Sequence, residues 1–376
     1  MNLFCLYHIE HFFIYHDPQT SRLDISLKKY FKLHKALGSK DRKNIANFVF
    51  LVSRFFSLLR YTLKIDKIDV QTIPKILALD IKKFFQEQKV PKHILYGFDE
   101  DFFRLLSTSL PAENFEKFLS SLNEEAPLFG RVNPLKTSRE KLIEELSPLT
   151  EVKKTAHSPY GLQFGKRENF FHFSAFKDGK FEIQDESSQL VALKLGAKPK
   201  ERILDFCAGS GGKSLCIGAE MQNTGQLYLH DVREAPLIEA KKRLRRAGVQ
   251  NIQILPHGPI CKKYNRYFDR LLLDVPCTGT GTLRRNPDRK ERLTVQDVEE
   301  LVALQRTIFD EAIAHVKPGG KILWATCSVL KEENQDQIAF FCENYPVKMI
   351  GEPLAIFPIS GESDGFFAQM LEFTPL

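Results

Sequence analysis

A chain of 376 residues is too long for one small domain, so two or three are expected. With 43% hydrophobic and 27% charged residues it has the balance of an ordinary soluble protein with real cores, which excludes a disordered tract. The net charge of +7 leans toward a polyanionic partner. Seven cysteines, widely spaced and with no Cys-x-x-Cys pair, argue against a zinc site and against a disulfide framework. A reducing, cytoplasmic setting is therefore expected, with no metal. No apolar stretch reaches the length of a membrane span, and the first residues lack the basic start of a signal peptide.

Residues 1 to about 125 read as helical. Between Asp41 and Leu63 the apolar residues Ile45, Phe48, Val49, Val52, Phe55, Phe56 and Leu59 recur at three- and four-residue steps. Scattered Lys and Arg make this either a solvated bundle or one that docks nucleic acid. Residues 126–182 change character. Phe129 to Pro134 reads as a short strand ending in a turn. Thr137-Ser138-Arg139-Glu140 has capping-box spacing for a helix. Glycine-broken pieces then suggest a small α/β module. Its aromatics Phe170, Phe171, Phe173 and Phe176 are candidates for the core or for base stacking.

From Phe181 onward strands alternate with helices. Strands are expected at Arg202–Asp205, Leu227–Asp231, Ile252–Leu255 and Phe268–Asp274. A helix from Glu234 should stop at Gly248, and Thr294 with Asp297 should cap one running to about Val316. Pro318-Gly319-Gly320 should then launch a strand toward Cys327. This rhythm predicts an α/β, doubly wound, mostly parallel sheet of Rossmann-like type.

Ligands of such sheets bind beyond the carboxyl ends of the strands. The turn Gly209-Ser210-Gly211-Gly212-Lys213 follows the first strand, lets backbone approach a ligand, and opens a helix with free N–H groups. Its spacing is not that of a nicotinamide fingerprint. Asp231, about twenty residues on, stands where a carboxylate takes two ribose hydroxyls. A nucleoside-type cofactor is expected. Two more strand ends deliver Asp274-Val275-Pro276-Cys277-Thr278-Gly279-Thr280-Gly281 and Thr326-Cys327-Ser328. A cysteine thiolate can add to C6 of cytosine while a carboxyl group hydrogen-bonds N3. C5 then accepts a methyl group, and a base must remove the C5 proton. Arg284 and Arg285, just past the turn, are candidate phosphate contacts or surface arginines.

These pieces carry a family resemblance. Gln184 to Gln189, Asp205 to Lys213, Asp274 to Gly281 with Arg284 to Asp288, Ala325 to Ser328 and Asp364 to Phe367 together resemble the Sun family of RNA cytosine-5 methyltransferases. The front half resembles its bacterial ribosomal branch, with a NusB-like helical domain (1–125) and a small ferredoxin- or RRM-like module (126–182) before the methyltransferase domain (183–376). The resemblance implies S-adenosyl-L-methionine as methyl donor and RNA, in particular 16S ribosomal RNA, as substrate of a cytoplasmic monomer. It implies Cys327 as nucleophile, Cys277 in product release, Asp274 at the cytosine and Asp231 on the cofactor ribose. Cys207, Ala208, Gly209, Ser210, Gly211, Gly212, Lys213, His257 and Asp274 are the remaining expected cofactor-binding positions, with Lys213 also counted as catalytic. Two departures stand out. Gly209-Ser210 replaces the family's Ala-Pro, and Pro256-His257-Gly258 occupies a turn where the family carries an aspartate, so weaker cofactor binding is expected. The alternatives are a tRNA or DNA cytosine-5 methyltransferase and a non-catalytic RNA-binding assembly factor. In the DNA enzymes the attacking thiol would be Cys277, and Thr326-Cys327-Ser328 speaks against that.

Overall fold

The computed structural model describes residues 2–17, 21–87, 89–166 and 168–375. They divide into two compact units: Met1–Glu125 with Thr282–Asp297, and Ala126–Gly281 with Val298–Leu376. The expected segment 183–376 is thus interrupted, because residues just past the Cys277 turn belong with the helices. Among the described residues no helix is long and apolar enough to cross a membrane.

In the first unit helices occupy Leu3–Tyr15, Leu23–Leu33, Ser39–Leu63, Thr72–Leu77, Ile81–Glu87, Lys92–Tyr96, Glu100–Ser109 and Ala112–Leu122. The periodicity read between Asp41 and Leu63 is the buried stripe. Ile45, Phe48, Val49, Val52, Phe55 and Leu59 are buried and join Ile9, Phe12, Leu27 and Tyr30 in one core, with Phe56 packed at its margin. Local chemistry sets the helix starts: the Asn2 side chain accepts from Cys5 N, and Asp99 from Asp101 N and Phe102 N.

The second unit holds two sheets. Strands β1 (Leu128–Val132), β2 (Val152–Lys154), β3 (Gly161–Phe164) and β4 (Phe181–Ile183) form an antiparallel sheet in the order β2-β3-β1-β4. The helix Arg139–Leu146 packs on it, capped by Ser138 rather than Thr137. Phe170 and Phe176 are spent in this core and Phe173 packs against it, while Phe171 is 71% exposed. Only Phe171 of the four is therefore open for stacking.

The larger sheet has seven strands: β5 (Arg202–Asp205), β6 (Gln226–Leu229), β7 (Ile252–Ile254), β8 (Phe268–Asp274), β9 (Val316–Thr326), β10 (Val347–Ile356) and β11 (Phe366–Phe373). The order is β10-β11-β9-β8-β5-β6-β7. Pairings from β9 through β7 are parallel, and β11 runs antiparallel to both β9 and β10. The chain builds outward from β5 through β6 and β7, then returns to add β8 on the other side. The β5/β8 boundary is therefore the switch point, where a crevice opens at the strand ends. One expectation is corrected here. The helix Val295–Ile313 ends early, and Pro318-Gly319-Gly320 lies inside β9. Phe268 pairs with Val316 and Arg270 with Lys321, so the intervening residues bulge out without ending the strand.

Candidate active site

The turn after β5 is shaped by glycine. Gly209 and Gly211 have φ of +50° and +76°, which other residues adopt with strain. A Cβ on Gly211 would also press on Ala240 Cβ at 3.0 Å. At Gly209 and at Gly258, on the loop after β7, an added Cβ would meet nothing within 4 Å, so both loops face open space. Asp231, at the end of β6, accepts from Gly209 N (2.9 Å), Arg233 N (2.9 Å) and Arg233 Nε (3.1 Å). Burial alone would raise its carboxyl, but these hydrogen bonds overcome that and hold it below the ordinary aspartate value. The Arg233 side chain is exposed, so hydroxyl donors can displace it. Ser210 is held by Arg243 Nη1, which reaches both its carbonyl (2.8 Å) and its Oγ (2.9 Å). An open pocket edge with positive-φ backbone and an anionic carboxylate suits a ribose and an adenosyl group. At Cys207 desolvation, and the nearby carboxylates of Asp205, Asp274 and Asp231, push the thiol well up, which disfavours a thiolate there. Ala208 is buried and anchors the turn through its N–H on the His230 carbonyl (2.8 Å).

On the other side of the switch point, β8 ends at Asp274. Lys213, from the first turn of the helix Gly212–Glu220, reaches back to set Nζ 2.6 Å from Asp274 Oδ2. Its stem is buried and its ammonium lies 5.0 Å from the centre of the Phe366 ring. The two cysteines predicted from separate strand ends meet: Cys277 Sγ and Cys327 Sγ are 3.3 Å apart. This hydrogen bond splits the pair. It keeps the Cys277 thiol protonated, with burial adding to the effect, and it lowers the Cys327 thiol despite burial. Lys213 further favours the Cys327 thiolate, while Asp274 opposes it. Two thiols driven in opposite directions and a lysine–aspartate pair thus share one crevice.

Not every expected residue joins them. The His257 side chain is exposed, and its loop is tied down instead by buried His230, whose Nδ1 lies 2.9 Å from the Phe206 carbonyl and Nε2 2.9 Å from that of Gly258. Arg284 belongs to the helical unit and is 2% exposed, and its carbonyl accepts from Arg54 Nη2 (3.0 Å). Its side chain is thus buried in this structure, where a surface arginine was the alternative reading. Arg285 is half-buried. Thr278 and Ser328 entered the sequence reading only as members of their motifs, and Gln305, Glu333 and Asn334 were missed; the buried polar groups of all five hydrogen-bond within and between the loops that carry the two thiols. Glu333 sits in the run Lys331 to Asn334, which looks like solvated surface, and no local signal distinguishes it. Among the described residues no cluster suits a metal ion.

Comparison with known proteins follows this geometry. Residues 192–372 match the family described as 16S rRNA methyltransferase RsmB/F. The probable ribosomal RNA small subunit methyltransferase B of Synechocystis is 31% identical over 78% of this chain and 67% of its own. The ribosomal RNA small subunit methyltransferase B of Sodalis glossinidius is 34% identical over 70% of this chain and 63% of its own. The chain therefore spans about two thirds of the length of these relatives. A methyltransferase homolog protein from Pyrococcus horikoshii superposes with a TM-score of 0.67 at 26% identity, covering 75% of this chain and 97% of its own. With the seven-stranded sheet and the match across its core, the chain belongs to the RsmB/F family of 16S rRNA methyltransferases.

Proposed function

We propose that this protein transfers a methyl group from S-adenosyl-L-methionine to C5 of a cytosine in RNA, with small-subunit ribosomal RNA as the substrate. The single observation that carries the reading is the pair of thiols, 3.3 Å apart, beside the Lys213–Asp274 pair. The curated relatives bear the name of small-subunit rRNA methyltransferases, which supports the choice of RNA.

Asp231 would hold the cofactor ribose, and the Gly209–Gly212 backbone would line its amino-acid end. The bound cofactor supplies an electrophilic methyl. This chain's residues do the rest. The Cys327 thiolate adds to C6 of the cytosine, forming the S–C6 bond and moving the ring electrons toward N3 and C5. Asp274 would take a proton from the Lys213 ammonium 2.6 Å away and donate it in a hydrogen bond to N3, offsetting the charge that builds there. C5 would then take the methyl carbon, whose bond to the cofactor's sulfonium would break with its electron pair going to sulfur, so that S-adenosyl-L-homocysteine leaves. Once the Cys277 thiol has lost its own proton to solvent, its thiolate would take the C5 proton, directly or through a water. As those electrons re-form the C5–C6 double bond, the S–C6 bond breaks and Cys327 is freed.

The test separates the thiols. Incubated with target RNA and S-adenosyl-L-methionine, Cys327→Ala should neither methylate nor form an adduct. Cys277→Ala should accumulate a protein–RNA adduct that survives denaturing electrophoresis. If Cys327→Ala traps RNA and Cys277→Ala does not, the two roles are wrongly assigned. If neither traps RNA and methylation persists in both, the covalent reading fails.

A further inference from the structure

The two thiols sit on separate loops, yet two consecutive residues hold both. Glu333 is fully buried (0% exposed). Its Oε1 accepts from Thr278 N (2.9 Å) and Gln305 Nε2 (3.0 Å), and its Oε2 from Thr278 Oγ1 (2.5 Å). The same Gln305 Nε2 donates to the Pro276 carbonyl (3.0 Å), and Gln337 Nε2 fixes Gln305 through its Oε1 (2.9 Å). Both flanks of Cys277 are thereby held. Asn334 does the same at the other loop. Its Oδ1 accepts from Thr326 Oγ1 (2.5 Å) and its Nδ2 donates to the Ser328 carbonyl (3.0 Å), so both flanks of Cys327 are held. The Trp324 indole N–H, from β9, donates to the Glu333 carbonyl (3.2 Å) and fixes the pair to the sheet.

Burying a carboxylate is costly unless its oxygens are satisfied. Glu333 is satisfied by a backbone N–H, a hydroxyl and an amide, all but the last on the residue after Cys277. Burial raises the Glu333 carboxyl, these hydrogen bonds oppose that rise, and any charge it carries disfavours ionisation of both thiols. These are the properties of a group that fixes where Cys277 points.

We infer that Glu333 and Asn334 are a divided positioning pair: Glu333 aims Cys277 for product release, and Asn334 aims Cys327 for attack. The inference rests on the covalent reading above, so the experiment carries its own control. Neither side chain needs to touch substrate, so each acts through the cysteine it holds.

The variants are Glu333→Gln and Asn334→Ala, compared with Cys277→Ala on target RNA with methyl-labelled S-adenosyl-L-methionine. Glu333→Gln should keep single-turnover methyl transfer yet slow multiple turnover roughly tenfold or more, the expected effect of a mismatched buried hydrogen bond. It should accumulate a denaturation-resistant adduct carrying the label. Asn334→Ala should accumulate no adduct, and in a Cys277→Ala background it should slow adduct formation by roughly the same factor. A general loss of packing would lower both steps together, so equal losses in the two variants would overturn the division of roles. Turnover by Glu333→Gln at the native rate, or slowed without adduct, would overturn it too. Should Glu333→Gln fail to fold, Thr278→Val removes one of the same hydrogen bonds and should give the labelled adduct at lower yield; its absence counts against the inference. If Cys277→Ala alone traps no RNA, the covalent reading has failed, not the positioning.

Discussion

Asp205 and Asp231 end neighbouring strands of one sheet, yet their surroundings drive them in opposite directions. Asp231 is surrounded by donors and stays anionic. Its loss removes both the expected ribose contact and the acceptor that holds Gly209 N. Asp231→Ala should weaken S-adenosyl-L-methionine binding about tenfold to a hundredfold, the worth of a charge-assisted hydrogen bond, as calorimetry would read. Unchanged affinity in a folded variant would remove Asp231 from the site. Asp205 has only Ser214 Oγ on Oδ2 (2.5 Å), and its Oδ1 is buried without a hydrogen bond. Burial pushes its carboxyl up to about 7. The fold therefore prefers the protonated form. That preference costs nothing below the unfolded value of 3.8, grows as pH rises, and levels off above about 7. The melting temperature of Asp205→Asn, relative to the native chain, should climb between those limits and then stay flat, with a ceiling of roughly 4 kcal/mol. A difference independent of pH would show that Asp205 is charged in the fold throughout. Both aspartates were visible in the sequence as strand-end acids, but their opposite environments depend on which backbone amides face them. Such facing is a property of the fold and leaves no trace in local pattern.

At the scale of elements, local rules worked where the chain closes on itself. The strand–turn–helix at 202–220 and the helix from Glu234 stopped by Gly248 both follow from turn chemistry and periodicity. They failed where a distant partner decides. Pro318-Gly319-Gly320 reads as a stop, but pairing with β8 on both sides keeps the strand running around it. The same holds for the contact between the Cys277 turn and the loop before β11. Gly281 N donates to the Cys327 carbonyl (2.9 Å) and Gly365 N to the Gly281 carbonyl (2.8 Å). A Cβ on Gly281 would stand 2.7 Å from the Gly365 carbonyl carbon, where backbone has no room to yield. Gly281→Ala should therefore destabilise the protein by about 1–3 kcal/mol in denaturant unfolding. It should also slow methylation, because the carbonyl it holds belongs to Cys327. Native stability in that variant would mean the two loops can part freely.

Across the whole molecule, the helical unit is discontinuous in sequence. Residues Thr282–Asp297 leave the sheet unit directly after the Cys277 turn and complete the bundle. Buried Lys290 donates Nζ to the Arg54 carbonyl (2.9 Å), Ser57 Oγ donates to Glu291 Oε1 (2.6 Å), and burial lowers the Lys290 ammonium to about 7. A truncation starting near residue 126 or 181 therefore strips the hosts from this segment. Amide exchange in such a truncation should become fast across 282–297 while β5 and β8 stay protected. Protection retained at 282–297 would mean that the segment orders itself. The sequence boundary at residue 125 was legible because composition changes there. The return at 282 was not, since Arg284 and Lys290 look like surface residues until their burial is known. The same excursion also bears on how the protein is made. A ribosome finishes residue 125 long before it reaches 282, so the bundle emerges without its last piece and waits for about 160 more residues. At roughly 5–20 residues per second the helices wait on the order of ten to thirty seconds before Arg54 and Ser57 meet Lys290 and Glu291.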